Sequence, residues 1–379
     1  MMELYRELCS VSTPCYVTDE ARLIKNLDTL RSVSDQTGCK ILLAQKAFSM
    51  FAVYPLIGKY LAGTAASGLF EAKLGHEEMG GETHVFSVAY IESEFDEILR
   101  ICDHIIFNSF KQWMKFRDRA SDSGKSFGIR INPEHSTQQR SIYDPCAEGS
   151  RLGVTRANFR PDLLDGIDGI HFHTLCEQNS DALISTLEAV EEKFGDFLPR
   201  MKWVNFGGGH HITRTDYDAA ALVDCIKYFM GKYNVEVYLE PGEAVALNAG
   251  FLVASVLDFV DNGIKTAVID ASAACHMPDV IEMPYRPPLY NSGRANEKMH
   301  TYRLAGATCL AGDIIGDYSF DHELKIGEKL IFSDMAIYTM VKNNTFNGMR
   351  LPSIALRHKN GQIETIKSFG YDDFKCRLS

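Results

Sequence analysis

Between residues 40 and 240 eight short apolar runs recur, nearly all separated by stretches patterned as helices, and this alternation constrains the fold more than any other feature. The runs lie at 41–43, 63–67, 83–89, 104–109, 127–132, 169–173, 202–206 and 235–240. Ile41-Leu42-Leu43 shows the type: consecutive apolar residues suit a strand covered on both faces. Eight such strands alternating with helices over roughly 200 residues predict a (β/α)8 barrel of the TIM type, with a doubly wound open sheet as the competitor.

After about residue 245 the pattern changes. Phe251–Leu257, Thr266–Asp270 and Glu328–Phe332 are β-rich, and turns such as Lys325-Ile326-Gly327-Glu328 and Lys359-Asn360-Gly361 punctuate them. The expected organisation is an α/β barrel over 13–245, then an all-β domain (a β-barrel or sandwich) over 246–379. Residues 1–12 are expected to join that second domain as a strand. The stretch 133–160 carries Pro, Gly and Ser with little periodicity, and loops of that length are usually functional or mobile.

Composition acts by exclusion. The 379 residues accommodate two domains, and 45% hydrophobic with 23% charged residues is ordinary globular composition. A formal charge of −11 argues against nucleic acid, which needs basic patches, and suits a cationic small molecule. No window reaches the ~18 uninterrupted apolar residues of a membrane span. Ten scattered cysteines without a Cys-x-x-Cys pair, and a start at Met1–Glu7 without a signal-peptide apolar region, predict a cytoplasmic protein with free thiols.

In a barrel the chemistry sits at strand C-terminal ends. Here those ends carry Lys46, Ser67, Asn108-Ser109, Arg130 with Asn132, His171 and His173, Gly207-Gly208-Gly209, and Glu240-Pro241-Gly242-Glu243. Lys46 is either a solvated strand end or an amine whose pKa desolvation lowers, suited to a Schiff base. The glycines form a tight turn or bring backbone N–H groups close to an anion. Glu240 either accepts a hydrogen bond from a protonated ring nitrogen or caps a turn. His171 and His173 are read as facing opposite sides, one into the barrel and one toward the helices, which weakens a metal pair. His210-His211 reopen a zinc reading but lack a third ligand at suitable spacing, so no metal is expected. Cys309, Asp313 and Tyr338 cluster in the second domain, where cysteines are usually buried filler.

Several motifs occur together: Ala44-Gln45-Lys46, Ser150-Arg151-Leu152-Gly153, His171-Phe172-His173, Asn205-Phe206-Gly207-Gly208-Gly209-His210-His211, Glu240-Pro241-Gly242-Glu243, His276-Met277-Pro278-Asp279 and Thr308-Cys309-Leu310-Ala311-Gly312-Asp313. In combination, and over nearly the whole chain, they resemble the fold-type III pyridoxal-phosphate decarboxylases. The resemblance implies that Lys46 holds pyridoxal 5'-phosphate through its amine, that His173 stacks on the pyridine ring and that Glu240 pairs with the ring nitrogen. It gives Gly208, Gly209, Gly242 and Tyr338 to the phosphate. It also implies a homodimer with shared sites, in which Cys309 and Asp313 reach the neighbouring subunit's site, Asp313 as a substrate contact, and Cys309 helps reprotonate the product.

Two departures point to the substrate. Ornithine and diaminopimelate decarboxylases typically carry Glu-Pro-Gly-Arg and His-x-Gly-Ser. This chain has Glu243 in place of the arginine and Cys176 in place of the serine. A carboxylate at 243 disfavours the second carboxylate of diaminopimelate and favours an ammonium. The resemblance matches Glu243 and Asp279 to substrate contacts of the group acting on carboxylated triamines, so the expected substrate is a polyamine chain. The rivals are an ornithine or diaminopimelate decarboxylase, a pyridoxal-phosphate carrier without catalysis, and a metal-dependent barrel lyase.

Overall fold

The eight apolar runs form eight parallel strands, preceded by a strand, β1 (Cys15–Asp19), that pairs elsewhere. They are β2 (Lys40–Ala44), β3 (Gly63–Ala66), β4 (Glu82–Ser87), β5 (His104–Phe107), β6 (Ser126–Arg130), β7 (Gly169–His171), β8 (Trp203–Asn205) and β9 (Glu236–Leu239). They close in sequence order, the seam being the pairs Lys40↔Tyr238 and Ile41↔Leu239 between β2 and β9. The TIM-type barrel is therefore present and the open sheet is excluded. The computed structural model describes residues 2–120, 123–138 and 141–379.

Side-chain size fixes the barrel interior. Leu42, Ile106, Trp203 and Tyr238 form one buried cluster inside it. Trp203 fits because its neighbours are glycines: a β-carbon on Gly128 would lie 2.4 Å from the indole, and one on Gly169 would lie 2.1 Å from it. Interiors packed to crystal-like density leave no slack for such a group. With the floor filled, the strand ends opposite it remain open for a site.

The long 133–160 stretch is tied to the barrel, except that residues 139 and 140 lie outside the described residues. Asn108 donates from Nδ2 to the Arg151 carbonyl (2.8 Å) and accepts the Gly153 N–H (2.7 Å), while Ile131 bridges to Val154. Asn108 and Asn132, read from sequence as pocket residues, are therefore loop anchors. The Asn132 carboxamide accepts the Glu134 N–H at 2.8 Å.

The remaining strands are β10 (Gly250–Asp261), β11 (Lys265–Ile269), β12 (Gly293–Arg294), β13 (His300–Ala305), β14 (Ile314–Phe320), β15 (Lys329–Ser333), β16 (Ser353–Arg357) and β17 (Ile363–Lys367). With β1 they make one mixed sheet in the order β12-β14-β13-β11-β10-β1-β16-β17, β15 pairing with β10. The long β10 serves two neighbourhoods: Gly250–Val253 pairs with β1, and after a register shift at Val256/Asp258 its far half pairs with β11. Such a bulge bends a strand and increases its twist.

Two boundaries differ from the sequence reading. Among the described residues, 2–12 supply no strand: Met2–Leu8 is a helix, and Leu4, Tyr5 and Leu8 fall on one helical face that packs on a sheet cluster. The strand is Cys15–Asp19, and the compact units are Asn26–Val245 and Met1–Lys25 with Ala246–Ser379, so the barrel unit starts later than residue 13. Among the described residues no helix is long and apolar enough to cross a membrane, and the cysteines are free thiols.

Candidate active site

A narrow cleft lies at the C-terminal ends of the barrel strands, lined by Lys46, Ser67, Phe86, Arg130, His173 and Glu240 among others. Lys46 follows β2 directly. Its neighbour Gln45 is fully buried and is held by the Glu71 carbonyl (2.7 Å) and the Tyr54 hydroxyl (3.1 Å), which leaves Lys46 to turn into the cleft. The side chain stays accessible through the cleft mouth, but protein surrounds the amine. That desolvation lowers its pKa, Arg130 acts in the same direction, and Glu240, Glu71 and Glu243 oppose it. A lysine with a lowered pKa has more free amine available for attack on a carbonyl.

Glu240 follows β9 and is only 9% exposed. Burial alone would protonate it. Instead the carboxylate is held down to about 2, because His171 Nε2 (3.2 Å) and Asn205 Nδ2 (2.7 Å) both bond to it. Asn205 also accepts the Gly207 N–H at 2.8 Å, so one side chain ties the acid to the glycine loop. An ionised, buried carboxylate of this kind suits pairing with a protonated ring nitrogen.

His173 accepts the Gly208 N–H at Nδ1 (2.9 Å), and burial, Lys46 and Arg130 lower its pKa well below the ordinary range. It is a neutral, oriented ring. The expectation that His171 and His173 face opposite sides is corrected: both line the cleft. Residues two apart along an extended chain share a face, and β7 ends at His171. His171 stacks on Phe86 at 5.5 Å and 14°, and Arg130 lies over the same ring at 4.5 Å. The Phe86–Arg130 pair contributes to the cleft without having been singled out as a ligand set. Arg130 is visible in the sequence only as a polar strand end.

The glycine positions are demanded by backbone crowding. A β-carbon on Gly208 would lie 2.4 Å from the Glu240 carbonyl oxygen, and one on Gly209, at φ +83°, would lie 2.0 Å from the Leu175 carbonyl oxygen. At Gly242 it would lie 2.6 Å from the Ala47 β-carbon. Such close approach lets a glycine backbone come near an anion, although the Gly208 N–H itself is taken by His173 Nδ1.

Glu243 is anchored on the barrel by His211, whose Nε2 lies 3.1 Å from Glu243 Oε2. Its charge is felt at Lys46, which places it within electrostatic range of the amine.

The second-domain candidates make contacts within their own domain. Cys309 is exposed, and its N–H donates to the Asn347 carboxamide at 2.7 Å. Tyr338 is half-buried with a positive φ of 50°. Asp279 pairs with Lys342 at 2.5 Å, and Lys342 also contacts Glu282. Asp313, expected at the substrate, already serves as an acceptor within its own domain. It is 2% exposed, with both oxygens bonded by Ser272 Oγ (2.9 and 2.8 Å) and further bonds from Thr308 Oγ1 and the Ala274 N–H.

Metal ligation does not fit the clustered histidines. Among the described residues Glu82, His84 and His104 bring ligand atoms within 4.8 Å of one another, at the barrel end remote from Lys46. Lys40 already pairs with Glu82 at 2.6 Å, and the two imidazoles stack at 4.0 Å and 21°. Stacked rings aim their in-plane lone pairs side by side, whereas a zinc-type ion needs them convergent at ~2.0–2.1 Å.

A closed parallel barrel with a desolvated lysine, an ionised buried acid and a glycine cradle defines a pyridoxal-phosphate enzyme of the alanine-racemase-like class. Lys46, Glu240 and the crowded glycines fit that cofactor. A family model described as pyridoxal-dependent decarboxylase, C-terminal sheet domain, matches residues 15–336. A carboxynorspermidine/carboxyspermidine decarboxylase of Campylobacter jejuni is 44% identical over 378 residues, covering 97% of this chain and 98% of that one. A carboxyaminopropylagmatine decarboxylase of Synechocystis is 40% identical, covering 98% and 96%. The crystal structure of carboxynorspermidine decarboxylase complexed with norspermidine, from Campylobacter jejuni, superposes with a TM-score of 0.91 at 43% identity, covering 97% and 100%. The chain belongs to the pyridoxal-dependent decarboxylases, in the group of carboxynorspermidine/carboxyspermidine decarboxylases.

Proposed function

We propose that this enzyme decarboxylates carboxynorspermidine or carboxyspermidine to the corresponding triamine, in polyamine biosynthesis. The observation that carries the reading is Glu243. It puts a carboxylate, fixed by His211, where ornithine and diaminopimelate decarboxylases carry an arginine. Two relatives of at least 40% identity, matched over nearly their full length, are named for carboxylated polyamine-type substrates.

Lys46 would hold pyridoxal 5'-phosphate, with Gly208, Gly209, Gly242 and Tyr338 at its phosphate, His173 at the ring face and Glu240 at the ring nitrogen. When bound, the cofactor supplies the electron sink for the bond pair left as carbon dioxide departs. Glu240 keeps its negative charge throughout, because His171 and Asn205 stabilise the ionised form. Glu243 grips a substrate ammonium, and Asp279 is a second amine contact. Substrate and product differ only in the carboxylate, so selection rests on the amines. Carbon dioxide leaves from Cα and one proton takes its place, supplied through the Cys309 thiol of the partner subunit in a homodimer with shared sites. The free thiols support a cytoplasmic setting.

A carbon-dioxide release panel tests the substrate: carboxynorspermidine, carboxyspermidine, carboxyaminopropylagmatine, ornithine and diaminopimelate. The first two are expected to show the highest kcat/KM, and preference for any of the others overturns the assignment. Lys46→Ala is expected to lose the visible cofactor absorbance and about 10⁴-fold or more in activity. Mixing Lys46→Ala with Cys309→Ala subunits is expected to restore part of the activity. No recovery would count against shared sites.

A further inference from the structure

The Glu243 carboxylate is asymmetric in its contacts. Oε2 is bonded to His211 Nε2 at 3.1 Å, while Oε1 makes no hydrogen bond among the described residues. The two side chains are 8% and 15% exposed, so the clamped oxygen is screened from competing water. His211 is in turn fixed from behind: its N–H donates to the Gln178 carbonyl (3.1 Å), and its carbonyl accepts from Arg214 (2.9 Å). Gln178 is itself bonded to Gly209 of the glycine loop, through its N–H to that carbonyl at 3.0 Å. Among the described residues the buried imidazole Nδ1 has no hydrogen-bond partner, so Nε2–Glu243 is the ring's one hydrogen-bonded anchor there.

We infer that His211 is a positioning residue for substrate selection. It holds Glu243 by one oxygen so that the other is presented, already oriented, to an ammonium of the substrate chain. This rests on the reading of Glu243 as a substrate contact. A carboxylate on a free side chain would lose rotamer freedom on binding the amine, whereas a clamped one has lost it beforehand. The clamp also explains the histidine that follows the glycine loop without assigning it to metal. Charged neighbours that face it are Glu243 on the barrel side, and Asp216, whose carboxyl pKa is lowered chiefly by Arg214 and further by His211.

The test is a pair of substitutions that differ by one methylene, made in the full-length holoenzyme. His211→Asn withdraws the donor from reach of Glu243, and His211→Gln returns it. His211→Asn is expected to raise KM for the carboxytriamine by about tenfold, with kcat changed less and the cofactor absorbance retained; misplacement of a positioning group costs on this order or more. His211→Gln is expected to recover most of the loss. In a Glu243→Gln background, His211→Asn is expected to add nothing further. If Glu243→Gln raises KM but His211→Asn does not, the positioning role is overturned while the substrate reading stands. If Glu243→Gln leaves KM unchanged, the substrate reading itself falls, and this inference with it. A lowered melting temperature in His211→Asn without a KM change likewise overturns the positioning role.

Discussion

Gly208 and Glu240 approach so closely that a β-carbon on the glycine would stand 2.4 Å from the Glu240 carbonyl oxygen. The contact is with backbone, which cannot swing aside as a side chain can. Gly208→Ala is therefore expected to displace the glycine loop, and with it the N–H that orients His173. Cofactor affinity should fall by about tenfold or more, since the loop's donors are placed by position alone. Titration of apoenzyme with pyridoxal 5'-phosphate, followed by absorbance, measures this; unchanged affinity would remove the glycines from the phosphate site.

Glu240→Gln keeps the shape and removes the charge. Asn205 and His171 both direct N–H groups at this carboxylate, and an amide satisfies them only in part. The ring nitrogen would lose its anionic partner, and kcat is expected to drop by about 10²- to 10³-fold. KM should change much less. A steady-state comparison of the two enzymes checks it, and equal kcat values would dissociate Glu240 from the chemistry.

The barrel was legible because its signal is periodic: eight apolar runs leave little choice of architecture, and their polar ends name most of the cleft. What the chain hid depends on three-dimensional neighbours. The room that Gly128 and Gly169 make for Trp203 joins residues from three strands. The His211–Glu243 pair spans 32 positions and has no local pattern. Asp313 shows the opposite limit. Its motif was readable, but a motif does not show that Ser272, Thr308 and Ala274 already occupy its oxygens. The helix at Met2–Leu8 was read as a strand because so short a segment shows barely two helical turns.

Asp313→Ala should act on stability. It strips acceptors from two hydroxyls and one N–H in a buried setting, and such losses cost about 1–3 kcal/mol per group left unsatisfied. A fall in melting temperature of several degrees is expected by differential scanning fluorimetry. An unchanged melting temperature with a raised KM would return Asp313 to the substrate.

Acidification should weaken the fold from pH 6.5 downward. Burial lowers the pKa of His104 from 6.5 to about 3, and that of His210 from 6.5 to about 4. Below 6.5 the unfolded chain binds protons at these rings while the folded one does not, so unfolding becomes more favourable as pH falls. This loss runs from 6.5 through the folded values. A second loss follows below 4.5, where Glu82 and Glu240, each with a folded pKa of about 2, begin to be protonated in the unfolded chain. His104→Phe tests the first window. It keeps a flat ring to stack on Trp203 at the barrel floor, where the native centroids are 4.8 Å apart, and removes the titrating group. Denaturant unfolding at closely spaced pH values from 7 to 4 should show a slope reduced by up to about 1.4 kcal/mol per pH unit, the value for one proton. An identical slope in the variant would mean that His104 takes up its proton in the folded protein as readily as in the unfolded chain.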